Sequence, residues 1–192
     1  CAPAQTRTDL PQAMNDITVA SSPLRPVDAV VVGASAGGVE ALLAIFEGLG
    51  PDFGLPIIVV LHLPDAHRSQ LAEVFARRLA LRVKEATDKE PISPGTVYFA
   101  APGYHLSVEG DYSFSFSQEA RVHYSRPAID YLFESAADAY QHRLAAILLT
   151  GANQDGAQGL YTVKQRGGVT IVQDPQEALV ATMPQAALDR IK

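Results

Sequence analysis

The segment Val30–Gly38, Val-Val-Val-Gly-Ala-Ser-Ala-Gly-Gly, is an apolar run followed by a serine among small residues. Such a run indicates a buried parallel strand, and the apolar residues at helical spacing that begin at Val39 indicate a helix directly behind it. The pattern G-x-S-x-G is typical of a nucleophile elbow, a tight strand-to-helix turn that exposes a serine hydroxyl. Ser35 is therefore a candidate nucleophile, and the N-terminus of the helix could stabilise an oxyanion beside it.

Two other interpretations of this turn stay open on the local pattern. The spacing Gly33-x-Ser35-x-x-Gly38 differs from the dinucleotide-binding pattern G-x-G-x-x-G only at the middle glycine. Small residues can also serve simply to let a strand and its helix pack closely. An oxidoreductase that resembles the short-chain dehydrogenases would need Tyr-x-x-x-Lys on one helix face, whereas Tyr161 and Lys164 are three residues apart. This mismatch disfavours the oxidoreductase without deciding between the remaining alternatives.

The composition of the 192 residues is typical of a globular protein, with 47% hydrophobic and 19% charged residues. A net charge of −6 argues against nucleic acid or an anionic membrane as the main partner. No apolar run is long enough to span a bilayer, so membrane insertion is not expected. The single cysteine, Cys1, excludes an intrachain disulfide and a cysteine-based zinc site, and it indicates a reducing compartment such as the cytoplasm.

The composition and the periodicity of the sequence change after residue 26. Residues 1–26 combine several prolines with Ala, Gln, Thr and Ser, which predicts a linker or flexible N-terminal arm. Strand and helix patterns alternate through residues 27–192, which we therefore predict to form one domain.

The predicted elements define a fold class. Mainly apolar runs predict buried strands at 27–32, 56–63 and 145–149, and further strands are predicted at 82–85, 96–100 and 169–172. Helical periodicity predicts helices at 39–49, 69–79, 127–142, 156–166 and 184–191. Between residues 104 and 117 the period changes to two, which predicts a β-hairpin. The sequence thus predicts a three-layer, doubly wound α/β fold with a mainly parallel sheet, helices on both faces and an inserted β-hairpin.

In a doubly wound sheet the reacting groups collect beyond the carboxyl ends of the strands, which limits the partners of Ser35. His62 ends the second strand and is the candidate general base, although a lone histidine can simply cap a strand end. Asp155 follows the strand at 145–149 and is the candidate acid that orients the imidazole. An aspartate before a helix is also a common N-cap, and Asp65 is a second candidate for the acid.

With these three residues in place, the chain from about Val27 to its C-terminus resembles the catalytic domain of chemotaxis protein-glutamate methylesterases, the CheB type. The resemblance is carried, in chain order, by Ser35 on its elbow, Leu61-His62-Leu63-Pro64, Ala101-Pro102-Gly103, Arg126-Pro127-Ala128-Ile129-Asp130, Thr150-Gly151, Asp155-Gly156, Gly167-Gly168-Val169-Thr170 and Met183-Pro184. Each motif is weak alone, but their order and spacing together are specific.

The resemblance implies a serine hydrolase of bacterial two-component signalling. Its substrates would be γ-methyl esters of glutamate side chains on the cytoplasmic helices of methylated chemoreceptors, with deamidation of receptor glutamines as a further activity. Ser35 would attack the ester, His62 would carry the proton and Asp155 would orient His62. No metal or organic cofactor is implied. The oxyanion and substrate pocket would be formed by Ala36, Gly37, Gly151 and Ala152.

Several positions differ from the family pattern. The family usually has threonine at the position of Ala36, and methionine and glycine at the positions of Ala152 and Asn153. These differences support a second hypothesis, a catalytically weak module that binds a receptor or a signalling partner. The family typically carries an N-terminal receiver domain, for which residues 1–26 are too short. We therefore expect either a receiver domain outside this chain, as a partner, or a receiver-less form.

Overall fold

The protein is built around a six-stranded parallel sheet, seen in a computed structural model that describes residues 26–62 and 70–192. Its strands are β1 Ala29–Ala34, β2 Ile57–Leu61, β3 Arg82–Glu85, β4 Thr96–Phe99, β7 Leu144–Leu148 and β8 Val169–Val172, and a separate hairpin consists of β5 His105–Val108 and β6 Phe114–Ser117. The order across the sheet is β3-β4-β2-β1-β7-β8, and every neighbouring pair is parallel. The prediction of a mainly parallel sheet with an inserted hairpin is confirmed.

Helices cover both faces of this sheet. The described helices are α1 Gly38–Phe46, α2 Leu71–Ala76, α3 Ile129–Tyr140, α4 Ala157–Gln165 and α5 Thr182–Ile191. One apolar cluster packs α1 and α2 on the sheet through Leu42 and Phe75, among others. A second cluster packs α3, α4 and α5 on the opposite face through residues such as Phe133, Leu160 and Ala187. The three-layer prediction is therefore confirmed, because the central strands are apolar on both faces and each face needs a cover.

The strand order places a topological switch point beside β1. From β1 the sheet continues through β2 to β4 and β3 on one side, and through β7 to β8 on the other. The loops that leave the carboxyl ends of β1 and β7 therefore diverge toward opposite faces and leave a crevice between them. Ser35 follows β1 and Thr150 lies shortly after β7, so both lie at this edge.

Some element boundaries differ from the prediction. The third helix begins at Ile129 and not at 127, because Ala128 has an extended backbone (φ −107°, ψ 142°) and its N–H binds the His105 side chain. It ends at Tyr140, where Gln141 has a φ of 55° and a 3₁₀ turn, Gln141–Arg143, follows. The last helix begins at Thr182 and not at 184.

Three predictions concern residues that the structure does not describe: the arm over residues 1–25, the end of the second strand with the start of the second helix over 63–69, and the alternative acid Asp65. Among the residues that are described, no helix combines the length and the hydropathy that a membrane crossing requires.

Candidate active site

Ser35 lies at the carboxyl end of β1, between the ends of its two neighbouring strands. On one side, Ala34 pairs with Leu61 and its carbonyl accepts the His62 N–H at 3.0 Å. On the other side, the Ser35 N–H donates to the Thr150 carbonyl at 2.9 Å. Continued by one residue, the β1–β2 register aligns Ser35 with His62, and neighbouring strands are about 4.8 Å apart. The two residues that were predicted to exchange a proton are therefore neighbours in the sheet.

The turn behind Ser35 is tight for a steric reason. Gly37 has a φ of +79° and precedes α1, and the Gly38 N–H donates to the Ser35 carbonyl at 2.8 Å. A Cβ on Gly38 would lie 2.7 Å from the Cβ of Ala34 and 2.5 Å from the Leu61 side chain. Larger residues would push α1 away from the sheet, so the small residues around Ser35 hold the strand-to-helix turn as the pattern predicted.

His62 and Asp155 form a hydrogen-bonded pair at the same edge. Their Nε2 and Oδ2 atoms are 2.8 Å apart, the His62 side chain is 10% exposed and the Asp155 side chain is fully buried. The two residues are 93 positions apart in the chain. The His62 ring thus binds the carboxylate that the strand-end argument selected.

Asp155 does not cap the helix that follows it. The N-cap of α4 is Gly156, and no side chain caps that helix. The carboxylate instead accepts the N–H groups of Ile129 at 2.7 Å and Asp130 at 3.0 Å, the first two residues of α3. Asp155 thus lies at the positive end of another helix, which favours its ionised form.

The pKa of Asp155 lies below its usual range despite complete burial. Burial alone would raise this pKa, but the hydrogen bonds from His62 and from the two α3 amides outweigh it. An ionised carboxylate only accepts hydrogen bonds, so His62 Nε2 carries a proton toward Asp155. Nδ1 is then the nitrogen of His62 that is free to take a proton.

The structure does not join Ser35 to His62 by a hydrogen bond. Among residues 26–62 and 70–192, the Ser35 hydroxyl has no hydrogen-bond partner, whereas Ser125 Oγ lies 3.4 Å from His62 Nδ1. Nucleophile–base hydrogen bonds are often long or unmade until substrate binds, so this geometry is compatible with the predicted pair. Ser125 was missed by the sequence analysis because it lies in a loop that no strand-end argument selects.

Backbone amides that follow Ser35 and Thr150 in the chain are unpaired. Within the described part of the chain, the N–H groups of Ala36, Gly37 and Ala152 have no acceptor, and Ala36 and Ala152 are exposed. The Gly151 N–H, in contrast, already donates to the Val180 carbonyl at 3.1 Å. Of the four predicted pocket residues, Gly151 can therefore form a wall but its amide cannot hold an oxyanion.

Thr150 fixes the direction of one of these amides. Its hydroxyl is buried, donates to the Ala36 carbonyl at 2.8 Å and accepts the Val180 N–H at 2.9 Å. In a planar trans peptide the N–H points opposite to the C=O, so holding the Ala36 carbonyl also holds the Gly37 N–H. Oriented donors of this kind can stabilise charge without reorganising during the reaction.

A second carboxylate lies next to the first. Asp130 Oδ1 accepts the Gly159 N–H at 2.7 Å, and Asp130 Oδ2 is 3.7 Å from His123 Nε2. Burial, with a further contribution from the charge of Asp155, raises the pKa of Asp130 to about 6. The site therefore contains two buried carboxylates with opposite pKa shifts, and the one bound to His62 is the more acidic.

We expect Asp130→Asn to stabilise the protein at pH 8 and to change its stability much less near pH 4. The folded pKa of about 6 lies above the ordinary aspartate pKa of 3.8, so the wild type loses stability as the pH rises from there through 6. Asparagine keeps the acceptor for Gly159 and cannot ionise, so the expected gain at pH 8 is about 1–3 kcal/mol. Urea unfolding at both pH values measures it, with the exposed Asp138→Asn as the matched control. A pH-independent effect would contradict this prediction.

No group of three or more His, Cys, Asp or Glu side chains is placed to hold a metal ion in the described ranges 26–62 and 70–192.

Comparison with known proteins gives one consistent result. The family model for CheB methylesterase matches residues 30–191. A protein of Leptospira interrogans is 44% identical over 162 residues, which are 84% of each chain. Two proteins named protein-glutamate methylesterase/protein-glutamine glutaminase 2, from Caulobacter vibrioides and Anaeromyxobacter dehalogenans, are 38% and 42% identical. They share 92% and 85% of this chain, but the chain spans only about half of their length.

A solved structure agrees with these sequence matches. The crystal structure of the Thermotoga maritima CheB methylesterase catalytic domain superposes with a TM-score of 0.81 at 34% identity. The matched region covers 85% of this chain and 88% of that domain. The structural similarity therefore extends over most of both chains.

Proposed function

Since the chain belongs to the CheB methylesterase family, we propose that it hydrolyses γ-methyl esters of glutamate side chains on the cytoplasmic helices of methylated chemoreceptors. The products are methanol and a glutamate carboxylate. The observation that carries this proposal is the His62–Asp155 pair at 2.8 Å, placed beside Ser35 by the β1–β2 register. A pair of this kind activates a neighbouring hydroxyl for attack on an ester carbonyl.

The reaction proceeds through an acyl-enzyme. Ser35 Oγ attacks the ester carbonyl while its proton passes to His62 Nδ1, and Asp155 stabilises the imidazolium that forms. The unpaired amides of Ala36, Gly37 and Ala152 are the proposed donors to the developing oxyanion. His62 then gives the proton to the departing methoxide. Water repeats the same sequence on the acyl-enzyme and releases the free carboxylate.

Asn153, which differs from the family pattern, strengthens this site. Its Oδ1 accepts the Asp155 N–H at 3.1 Å, and its Nδ2 donates to the His123 carbonyl at 3.4 Å. The side chain therefore connects the loop of Asp155 to the loop that faces His62. This contact favours a working enzyme over the alternative of a catalytically weak binding module, and the names of the relatives favour the same choice.

The same machinery accommodates an amide substrate. A glutamine side chain forms the same acyl-enzyme and releases ammonia instead of methanol, with His62 again protonating the leaving group. Relatives of this chain are named for both activities. We therefore include deamidation of receptor glutamines in the proposal. A cytoplasmic location and regulation by a receiver domain are further parts of the proposal, and they rest on the family resemblance.

The proposal is tested by methanol release from a methylated chemoreceptor cytoplasmic fragment. The protein should release methanol in proportion to the esters lost, as measured by mass spectrometry of the receptor peptides. Receptor binding without methanol release, by a protein shown to be folded, would instead support the binding module. Saturable NAD(P)H binding would revive the oxidoreductase interpretation of the glycine turn.

Thr150→Val is expected to lower kcat about 10- to 100-fold, because the Gly37 N–H is no longer held toward the oxyanion. The variant removes the bond to the Ala36 carbonyl but keeps the shape of the side chain. Thr150→Ser keeps the hydroxyl and is the matched control, with an expected kcat near that of the wild type. Equal losses in the two variants would contradict this prediction, because the hydroxyl that serine keeps would then not preserve kcat.

A further inference from the structure

His62 Nδ1 has a hydroxyl neighbour, Ser125, that takes no part in the proposed ester hydrolysis. Ser125 Oγ lies 3.4 Å from Nδ1, on the side of the ring away from Asp155. The same Ser125 oxygen lies 3.5 Å from the carbonyl oxygen of His123. Its single proton can therefore point to either of two acceptors, one of which is the nitrogen that exchanges the proton with Ser35.

We propose that Ser125 is a positioning residue for His62 that serves both protonation states of the ring; this rests on the proposed hydrolase function. In the resting enzyme the Ser125 hydroxyl donates to the lone pair of Nδ1. When substrate binds, the Ser125 proton turns to the His123 carbonyl and frees the Nδ1 lone pair for the proton of Ser35. The imidazolium N–H that forms is a donor, and Ser125 Oγ accepts from it. The Ser125 proton returns to Nδ1 after Nδ1 has given up its own proton to the leaving group.

The backbone places Ser125 by means of an unfavourable turn. The N–H of Val122 donates to the Ser125 carbonyl at 3.1 Å, and the N–H of Ser125 donates to the Val122 carbonyl at 2.8 Å. The two residues between them, His123 and Tyr124, have φ values of 48° and 65°. Two positive φ angles inside a closed two-residue turn are typical of a type I′ turn, which normally contains Asn or Gly. Such strain persists only where the surroundings hold it, and it is concentrated at functional sites.

The surroundings that hold this turn are visible in the structure. The fully buried His105 ring donates from Nε2 to the Ala120 carbonyl at 3.0 Å and accepts the Ala128 N–H at Nδ1 at 3.2 Å. One imidazole thus connects both ends of the loop Ala120–Ala128, and it stacks on the Tyr131 ring with centroids 4.0 Å apart. The Asn153 side chain holds the middle of the loop at the His123 carbonyl.

These contacts restrict Ser125 to the space between its two acceptors. Distances of 3.4 and 3.5 Å are at the long end of hydroxyl hydrogen bonds. Long contacts of this kind tighten when an active site closes on its substrate. A hydroxyl that has to exchange partners during turnover cannot be bound tightly to either one, and the observed position meets that requirement.

The test compares Ser125→Ala with Ser125→Thr, which keeps the hydroxyl, and with Ser115→Ala, which removes another half-buried serine in β6. Nitrogen-15 NMR of the ring of His62 reports directly whether Nδ1 accepts a hydrogen bond. We expect the Nδ1 signal to move toward that of an unbonded imine nitrogen in Ser125→Ala and to stay in place in the other two variants. We expect kcat for the ester to fall about 10- to 100-fold in Ser125→Ala alone, with KM unchanged.

The proposal would be overturned by an Nδ1 signal that does not respond to Ser125→Ala, or by a loss of kcat that threonine does not restore. Hydrolysis that survives Ser35→Ala but not Ser125→Ala would also overturn it, because Ser125 would then be the nucleophile. Failure of the proposed function is a separate observation, since it would be the absence of ester hydrolysis in the wild type. The NMR comparison needs no turnover and so distinguishes the two failures.

Discussion

Ser35→Ala is expected to lower kcat for the receptor methyl ester by about four or more orders of magnitude. The variant keeps the His62–Asp155 pair, the turn and the unpaired amides, so it removes only the oxygen that is proposed to form the acyl-enzyme. KM should change little, because the pocket walls stay in place. Methanol release under saturating substrate measures the loss, and thermal unfolding confirms that the variant is folded.

Two controls make this result specific. Ser107→Ala removes a half-buried serine of β5 and should leave kcat unchanged. A fluorophosphonate, which reacts with activated serines, should modify the wild type on the peptide that contains Ser35 and leave Ser35→Ala unmodified. Labelling on the peptide that contains Ser125 would show that His62 activates the Ser125 hydroxyl instead of the Ser35 hydroxyl, which would contradict the assignment of Ser35 as the nucleophile.

Asp155→Asn is expected to lower kcat about a thousandfold or more and to destabilise the fold at the same time. The carboxylate accepts three N–H donors, from His62, Ile129 and Asp130. An asparagine amide has only one acceptor oxygen, so its NH₂ group must face at least one of these donors. A buried N–H left without an acceptor costs about 1–3 kcal/mol, and His62 loses the charge that stabilises its protonated form.

The pH dependence of stability separates these two effects. The folded pKa of Asp155 lies below its ordinary value, so this group stabilises the fold above the unfolded pKa, and that contribution is lost as the pH falls through the folded pKa. Asp155→Asn should therefore destabilise the protein at pH 7 and differ less from the wild type at pH 3. Asp52→Asn, at an exposed aspartate in the turn before β2, is the control. If Asp155→Asn were active and Asp65→Asn inactive, the acid would have been misassigned.

Much of the fold was predictable from local patterns. Three strand segments are continuous apolar runs: Val30–Val32, Ile57–Leu61 and Ala145–Leu148. Such runs are typical of a parallel sheet that is covered on both faces by helices. The alternation after His105 similarly indicated the hairpin. The helix boundaries were less predictable, because α3 begins where Asp155 and His105 capture the free N–H groups, and those partners are distant in the chain.

The sequence by itself determined the strand-to-helix turn at Ser35, the parallel α/β class and the residues that end each strand, because periodicity and steric bulk act over a few neighbouring positions. Those strand ends, with the rule for doubly wound sheets, selected His62 and Asp155. Only the tertiary structure decided which ring nitrogen faces Asp155, that the Gly151 amide is already bound, and that Ser125 and Thr150 support the site. These are relations between side chains and loops far apart in sequence. They depend on differences of a few tenths of an ångström in the distance between two atoms, which no pattern of residue types encodes.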